Sequence, residues 1–249
     1  MTGDVFDRSD WWDPDGFTYG MRQLLNPIRI PYIVRHFGEH HVRSVLDVGC
    51  GGGYITQALS EAGFAATGVD HSMLAVRAAV AKALKGGGSR YSVADAHRLP
   101  YANETFDGVV LSEVLEHVKD PGVVLAEAAR VLGPGGVMVV TGPNRTRLSR
   151  IALIWLAQEW PSRVLPRGLH SHEAFVPTGE LRDRWKRLGL VPIGFSGVGI
   201  RFRRVPAALA AILRLRRGAI TYGEAGAAIE LAESRSPAIA YLASARKGL

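Results

Sequence analysis

The chain has 249 residues, a single cysteine, and 30 Lys and Arg against 23 Asp and Glu, for a net charge of +7. Cys50 alone excludes an internal disulfide framework, and no run of about twenty uncharged apolar residues exists to form a spanning helix. The length suits one α/β domain over 1–249, and the basic balance favours an acidic partner: anionic lipid, nucleic acid or an acidic substrate.

Residues 1–40 read as an amino-terminal arm. Asp4, Asp7 and Asp10 stand where a signal peptide would be apolar, which, with the cysteine count, favours the cytoplasm. Trp11, Trp12 and Phe17 are free to pack on the body. Residues 21–38 offer Ile28, Ile30, Ile33, Val34 and Phe37 as an apolar face, punctuated by Pro27 and Pro31. Strand 1 is predicted at 44–48, followed by Gly49-Cys50-Gly51-Gly52-Gly53 and a helix at 54–62 ending near Gly63. Strand 2 at 65–69 closes on Asp70. A helix capped by Ser72 runs to Leu84, and Gly86-Gly87-Gly88 turns the chain. Strand 3 at 90–94 ends at Asp95, and strand 4 spans 106–111. A helix at 120–132 stops before Pro134-Gly135-Gly136, which leads into strand 5 at 137–141. Beyond this 41–145 core, the pattern predicts a lid or membrane-contact segment at 146–175 and a helix at 178–189 capped by Thr178. It then predicts a strand at 190–196, a helical insertion at 203–235 and a last strand at 237–245. This alternation means a Rossmann-like α/β fold, a mostly parallel sheet with helices on both faces.

A buried strand, a glycine turn, a helix and a second strand tipped by a carboxylate make a nucleoside site. The glycines admit a ligand to the backbone, and Asp70 is placed to grip ribose hydroxyls. A nicotinamide fingerprint wants glycine at position 54, where Tyr54 stands. Asp47, Gly49, Gly51 and Gly53 instead form Asp-x-Gly-x-Gly-x-Gly, which resembles the first motif of class I S-adenosylmethionine (SAM)-dependent methyltransferases. The resemblance implies SAM as cofactor, with the loop around its methionine and ribose. It also implies Asp95 and Ala96 at the adenine, Ser112 at the cofactor, and a seven-stranded sheet whose last strand is antiparallel.

Further segments narrow the match: Trp11-Trp12-Asp13, Leu25-Asn26-Pro27-Ile28-Arg29-Ile30-Pro31, Ser112-Glu113-Val114-Leu115-Glu116-His117, Thr141-Gly142-Pro143-Asn144-Arg145 and Leu165-Pro166-Arg167-Gly168-Leu169-His170. Together they resemble the ubiquinone-biosynthesis O-methyltransferases over most of 11–200. Ser171-His172, in place of the usual acidic residue, and the 203–235 insertion depart from that family. The resemblance implies that Arg29 contacts SAM through the methionine carboxylate, and that Glu113, Glu116 and His117 hold Mg2+ or another divalent cation near the acceptor. On a helix these three would share one face. His117 and His170 are the candidate general bases, since imidazole titrates near neutrality. The expected acceptor is a small aromatic or prenylated phenol.

Residues 148–167 interleave Leu148, Ile151, Trp155, Leu156 and Trp160 with Arg150, Arg163 and Arg167, which suits peripheral contact with the anionic inner face of a membrane. Arg203, Arg204, Arg214, Arg216 and Arg217 repeat that composition. No separate nucleic-acid module is visible, so no nucleic-acid partner is expected. A small-molecule O- or N-methyltransferase of secondary metabolism and a SAM-binding membrane scaffold remain alternatives, and the oligomeric state is open.

Overall fold

The computed structural model describes residues 3–84, 88–159, 164–200 and 202–249. Gly86, Gly87, Trp160 and Arg163 of the segments above lie outside them. In chain order the elements are α1 (Gly3–Phe6), α2 (Phe17–Glu39), β1 (Ser44–Val48), α3 (Tyr54–Glu61), β2 (Ala65–Asp70), α4 (Met73–Ala83), β3 (Arg90–Val93), β4 (Phe106–Ser112), α5 (Pro121–Val131) and β5 (Leu132–Pro143). They continue with α6 (Arg147–Ser149), a π-helical segment (Arg150–Glu159), α7 (Thr178–Arg187), β6 (Leu190–Ile200), α8 (Val205–Arg216), α9 (Tyr222–Ala228), β7 (Leu231–Ser234) and β8 (Ala240–Lys247). The strands form one sheet in the order β3-β2-β1-β4-β5-β8-β6-β7. The first five are parallel; β8 runs antiparallel to β5, β6 to β8, and β7 to β6.

The central strands β1 and β4 and the second half of β5 are rich in Val and Leu because both their faces are covered. Alternate residues serve alternate cores. Leu46, Val109 and Met138 meet Leu125, Leu181 and Trp185 on one face. Val45, Val110 and Val139 meet Ile28, Ile33, Phe37 and Leu59 on the other. The strand order reverses between β1 and β4, and ligands of open α/β sheets settle at the carboxyl ends beside such a switch. Val48, Asp70, Val93 and Ser112 are the last residues of β1 to β4, so the candidate residues gather on one rim.

Four expectations need correction. The sheet has eight strands rather than seven, because Leu231–Ser234, read as helix, pairs as an edge strand with β6. Pro27 and Pro31 do not punctuate: α2 runs through both. Each proline removes an N–H from the helix ladder, but buried Ile28, Tyr32, Ile33 and Phe37 contribute roughly 1.5–3 kcal/mol each, enough to offset that loss. Strand β5 starts at Leu132, five residues earlier than expected, and the Pro134–Gly136 stretch lies inside it where the register against β4 shifts. Thr178 is the first residue of α7 rather than its cap; its N–H is met by Asn144 Oδ1 at 3.2 Å.

Candidate active site

The turn after β1 needs its glycines twice over. Gly49, Gly51 and Gly53 have φ of 72°, 53° and 83°, the left-handed region that side chains disfavour. The space is also taken. A Cβ on Gly49 would meet Val114 at 2.6 Å, and one on Gly52 would meet the Trp11 ring at 2.6 Å. Backbone N–H groups of Gly49 and Cys50 donate to the Val69 carbonyl, tying the turn to β2. Asp70, at the tip of β2, accepts from the Gly51 N–H at 2.8 Å and the Ser72 N–H at 2.9 Å. Both its oxygens are thereby oriented; Oδ1 also lies 3.3 Å from His71 Nδ1, and Oδ2 retains a lone pair for a ligand. Asp95 lies next along the rim, since Asp70 and Val93 are register partners; its carboxylate accepts from the backbone and ring of His97. Those bonds hold Asp95 below the usual carboxylate range. Ala96 follows, half-buried.

Asp47 is placed differently from the rim residues. It lies inside β1, 2% exposed, and accepts from Thr56 Oγ1 of α3 at 2.6 Å. Burial pushes its carboxyl up to about 7. It braces the helix after the turn from below.

Arg29 projects from α2 to the end of β4. It is buried, donates to Ser112 Oγ at 3.0 Å and Asn26 Oδ1 at 2.7 Å, and its Nε–H has no partner among the described residues. Burial works against its charge; Glu113, Asp47 and Glu116 support it.

The Glu113–His117 segment is not helical. It is an irregular turn between β4 and α5, and Glu113 has φ 55°. The one-face argument for Glu113, Glu116 and His117 therefore fails, since it holds only at helical spacing. Glu113 instead accepts from Thr141 Oγ1 at 3.1 Å. The group that does converge is Glu116, His117 and His170, whose donor atoms lie within 4.8 Å of one another. The two imidazoles stack at 5.2 Å between ring centres, with Phe6 edge-on to His117 at 4.9 Å. Glu116 Oε1, His117 Nδ1 and His170 Nδ1 are all buried with no hydrogen-bond partner among the described residues. Burial lowers His117 to about 4, and burial with the neighbouring ring lowers His170 to about 3. Burial first, then Glu113, pushes Glu116 well above the ordinary carboxylate range. His172 lies apart, donating from Nε2 to the Thr146 carbonyl.

Several residues of the site gave no sequence signal of their own role. Gln158, 2% exposed in the π-helical segment, clamps His170 by accepting its backbone N–H at 2.8 Å and donating to its carbonyl at 3.2 Å. Thr141 and Asn26 support Glu113 and Arg29. The aromatic pair of the arm did give a signal, and its target is the glycine turn: Trp12 Nε1–H donates to the Gly52 carbonyl at 2.9 Å while Trp11 lies over Gly51 and Gly52.

A family model described as a methyltransferase domain matches residues 46–140. The chain is similar to a ubiquinone biosynthesis O-methyltransferase of Bordetella avium, 34% identical over 76% of this chain and 78% of that one. It resembles one of Azorhizobium caulinodans at 36% identity over 76% and 79%. Among solved structures it superimposes on the magnesium protoporphyrin IX methyltransferase of Synechocystis, which holds S-adenosylhomocysteine (SAH). That match has a TM-score of 0.60 at 15% identity and covers 93% of this chain and 85% of that one.

Proposed function

Because the chain belongs to the family of the ubiquinone biosynthesis O-methyltransferases, we propose that this SAM-dependent methyltransferase moves the methyl group of SAM onto a hydroxyl oxygen of a catechol or quinol bearing a prenyl chain. In this reading the turn at Gly49, Gly51 and Gly53 and the Asp70 carboxylate receive the ribose and methionine of SAM. Asp95 and Ala96 meet the adenine. Arg29, fixed by Asn26 and Ser112, pairs with the methionine carboxylate. The reaction is an in-line displacement: the new O–C bond forms as the C–S bond breaks, SAH leaves, and the hydroxyl proton passes to a base. The protein contributes alignment and activation of the oxygen.

The observation that carries the acceptor side is the convergence of Glu116, His117 and His170 with three buried polar atoms that have no hydrogen-bond partner among the described residues. Such atoms are costly unless something binds them. A histidine alone is a poor answer. A phenol ionises at about 10, and burial holds His117 down at about 4, so the imidazole is a weak acceptor for its proton. One carboxylate and two imidazoles are a donor set that fits a divalent cation, and Glu116, His117 and His170 would hold it, with Glu113 behind Glu116. A bound cation lowers the pKa of a coordinated hydroxyl and fixes its oxygen. His170 then owes its position to Gln158, and Phe6 shields the ring of His117 from water.

The prenyl chain implies contact with a membrane surface. In support, Leu148, Ile151 and Trp155 are about half exposed beside Arg147 and Arg150, and Leu209 and Leu213 of α8 are similarly exposed beside Arg214, Arg216 and Arg217. No helix among the described residues is long and apolar enough to cross a membrane.

The decisive assay incubates the protein with methyl-labelled SAM and a panel of catechols, quinols and short-chain prenyl phenols, with and without chelator. Label should enter a prenyl catechol, stop with chelator and return with Mg2+ or Zn2+. No labelled phenol from any member would overturn the acceptor assignment. Turnover indifferent to chelator would remove the cation and leave the histidines to the proton.

A further inference from the structure

A chain of hydroxyl groups joins the two halves of the site. Arg29 Nη1–H donates to Ser112 Oγ at 3.0 Å, Ser112 Oγ and Thr141 Oγ1 are 2.8 Å apart, and Thr141 Oγ1–H donates to Glu113 Oε1 at 3.1 Å. Its direction follows from counting protons. Arginine only donates, the Thr141 hydroxyl donates to Glu113, and each hydroxyl owns one proton. Thr141 spends its proton on Glu113, so Ser112 must donate to Thr141, and Ser112 can then accept only from Arg29. All the bonds point one way, from the guanidinium toward the carboxylate. Ser112 and Thr141 are register partners in β4 and β5, so the sheet itself sets the spacing of the two middle links. Thr141 is 1% exposed and holds Glu113 twice, since the Glu113 backbone N–H also donates to the Thr141 carbonyl at 3.0 Å. That second bond secures a non-glycine residue in the left-handed conformation.

We infer that Thr141 is a positioning residue that couples the cofactor side of the site, Arg29 and Ser112, to the carboxylate of Glu113 on the acceptor side. The inference rests on the proposed function, because Arg29 matters here as the partner of the methionine carboxylate. Buried at 1% exposure, Thr141 acts by fixing the rotor of Ser112 and the carboxylate of Glu113 together. Charge-assisted, co-directional bonds in a buried chain strengthen one another, so breaking the middle link weakens both ends.

Calorimetry with SAH as the probe tests this without an acceptor. Thr141→Val removes the hydroxyl at nearly constant volume and should weaken SAH binding three- to tenfold. Thr141→Ser keeps the hydroxyl and should bind within twofold of the parent. Glu113→Gln, at the far end of the chain, should change SAH affinity less in the Thr141→Val background than in the parent, because the hydroxyl link is already cut there and only the direct attraction between Glu113 and Arg29 is left to lose. Parent-like binding by Thr141→Val, a Thr141→Ser protein as weak as Thr141→Val, or multiplicative effects in the double variant would each overturn the coupling. Failure of the unsubstituted protein to bind SAH would instead bring down the functional reading, and this inference with it.

Discussion

Asp47 is a carboxyl group held under the cofactor turn with its proton retained to about pH 7. Its ordinary value is 3.8, so between about pH 4 and pH 7 the folded chain keeps a proton that the unfolded chain has released. Stability therefore falls as pH rises through that window and is level above it, by up to ~4 kcal/mol for this group. Asp47→Asn copies the protonated shape and removes the slope. Its melting temperature should match the parent near pH 4 and exceed it at pH 8; equal differences at both pH values would show that Asp47 is ionised in the fold. Residues of this kind divide by how local their determinants are. Asp70 was legible because its partners, Gly51 and Ser72, lie in the two turns that the glycine and cap signals mark. Glu113 was misread because i, i+3, i+4 spacing has meaning only on a helix, and nothing in Ser112-Glu113-Val114 announces a left-handed glutamate. His170 joins Glu116 and His117 from more than fifty residues away, a meeting that only the tertiary fold could supply.

At the scale of elements, α9 packs unusually close to α2. A Cβ on Gly226 would run into the Gly20 carbonyl oxygen, and the Gly223 N–H donates to the Pro14 carbonyl at 3.0 Å. Phe17 and Tyr222 close the contact edge to face at 5.8 Å. The insertion thus buttresses the segment that carries Trp11 and Trp12 onto the glycine turn. Gly226→Ala should force the two helices apart and cost ~1–3 kcal/mol, lowering the melting temperature by roughly 2–12 °C. Gly179→Ala is the control. It also lies in a helix, α7, with nothing within 4 Å of the added methyl, and should be neutral or stabilising. Equal melting temperatures for the two variants would show that the α2–α9 approach is loose. The central strands β1 and β4 were readable because each carries an apolar run, closed by Gly49 after β1 and opened by Asp107-Gly108 in β4. The helical character of the insertion was readable too, in α8 and α9, but not where it docks, because an alanine-rich stretch fits a helix anywhere, and Leu231–Ser234 becomes a strand only by lying beside β6.

Across the whole molecule, charge is unevenly spread. Between Asp183 and Glu224 every charged side chain is arginine or lysine, and this stretch includes the exposed leucines of α8. Vesicles containing anionic lipid should therefore sediment the protein, and salt should weaken the association because the basic groups are screened. Leu209→Glu with Leu213→Glu should reduce it; sedimentation on neutral vesicles alone, or on none, would remove the membrane contact from the functional reading. The sheet order carries a different consequence. Strand β8 alone joins β5 to β6, so the parallel half that bears the cofactor turn and the antiparallel pair β6–β7 share no ladder until residues 240–247 have been synthesised. A nascent chain lacking them presents two raw sheet edges to its neighbours, and unpaired edges are where aggregation begins. The ribosome therefore delivers the seam of this sheet after both pieces it joins.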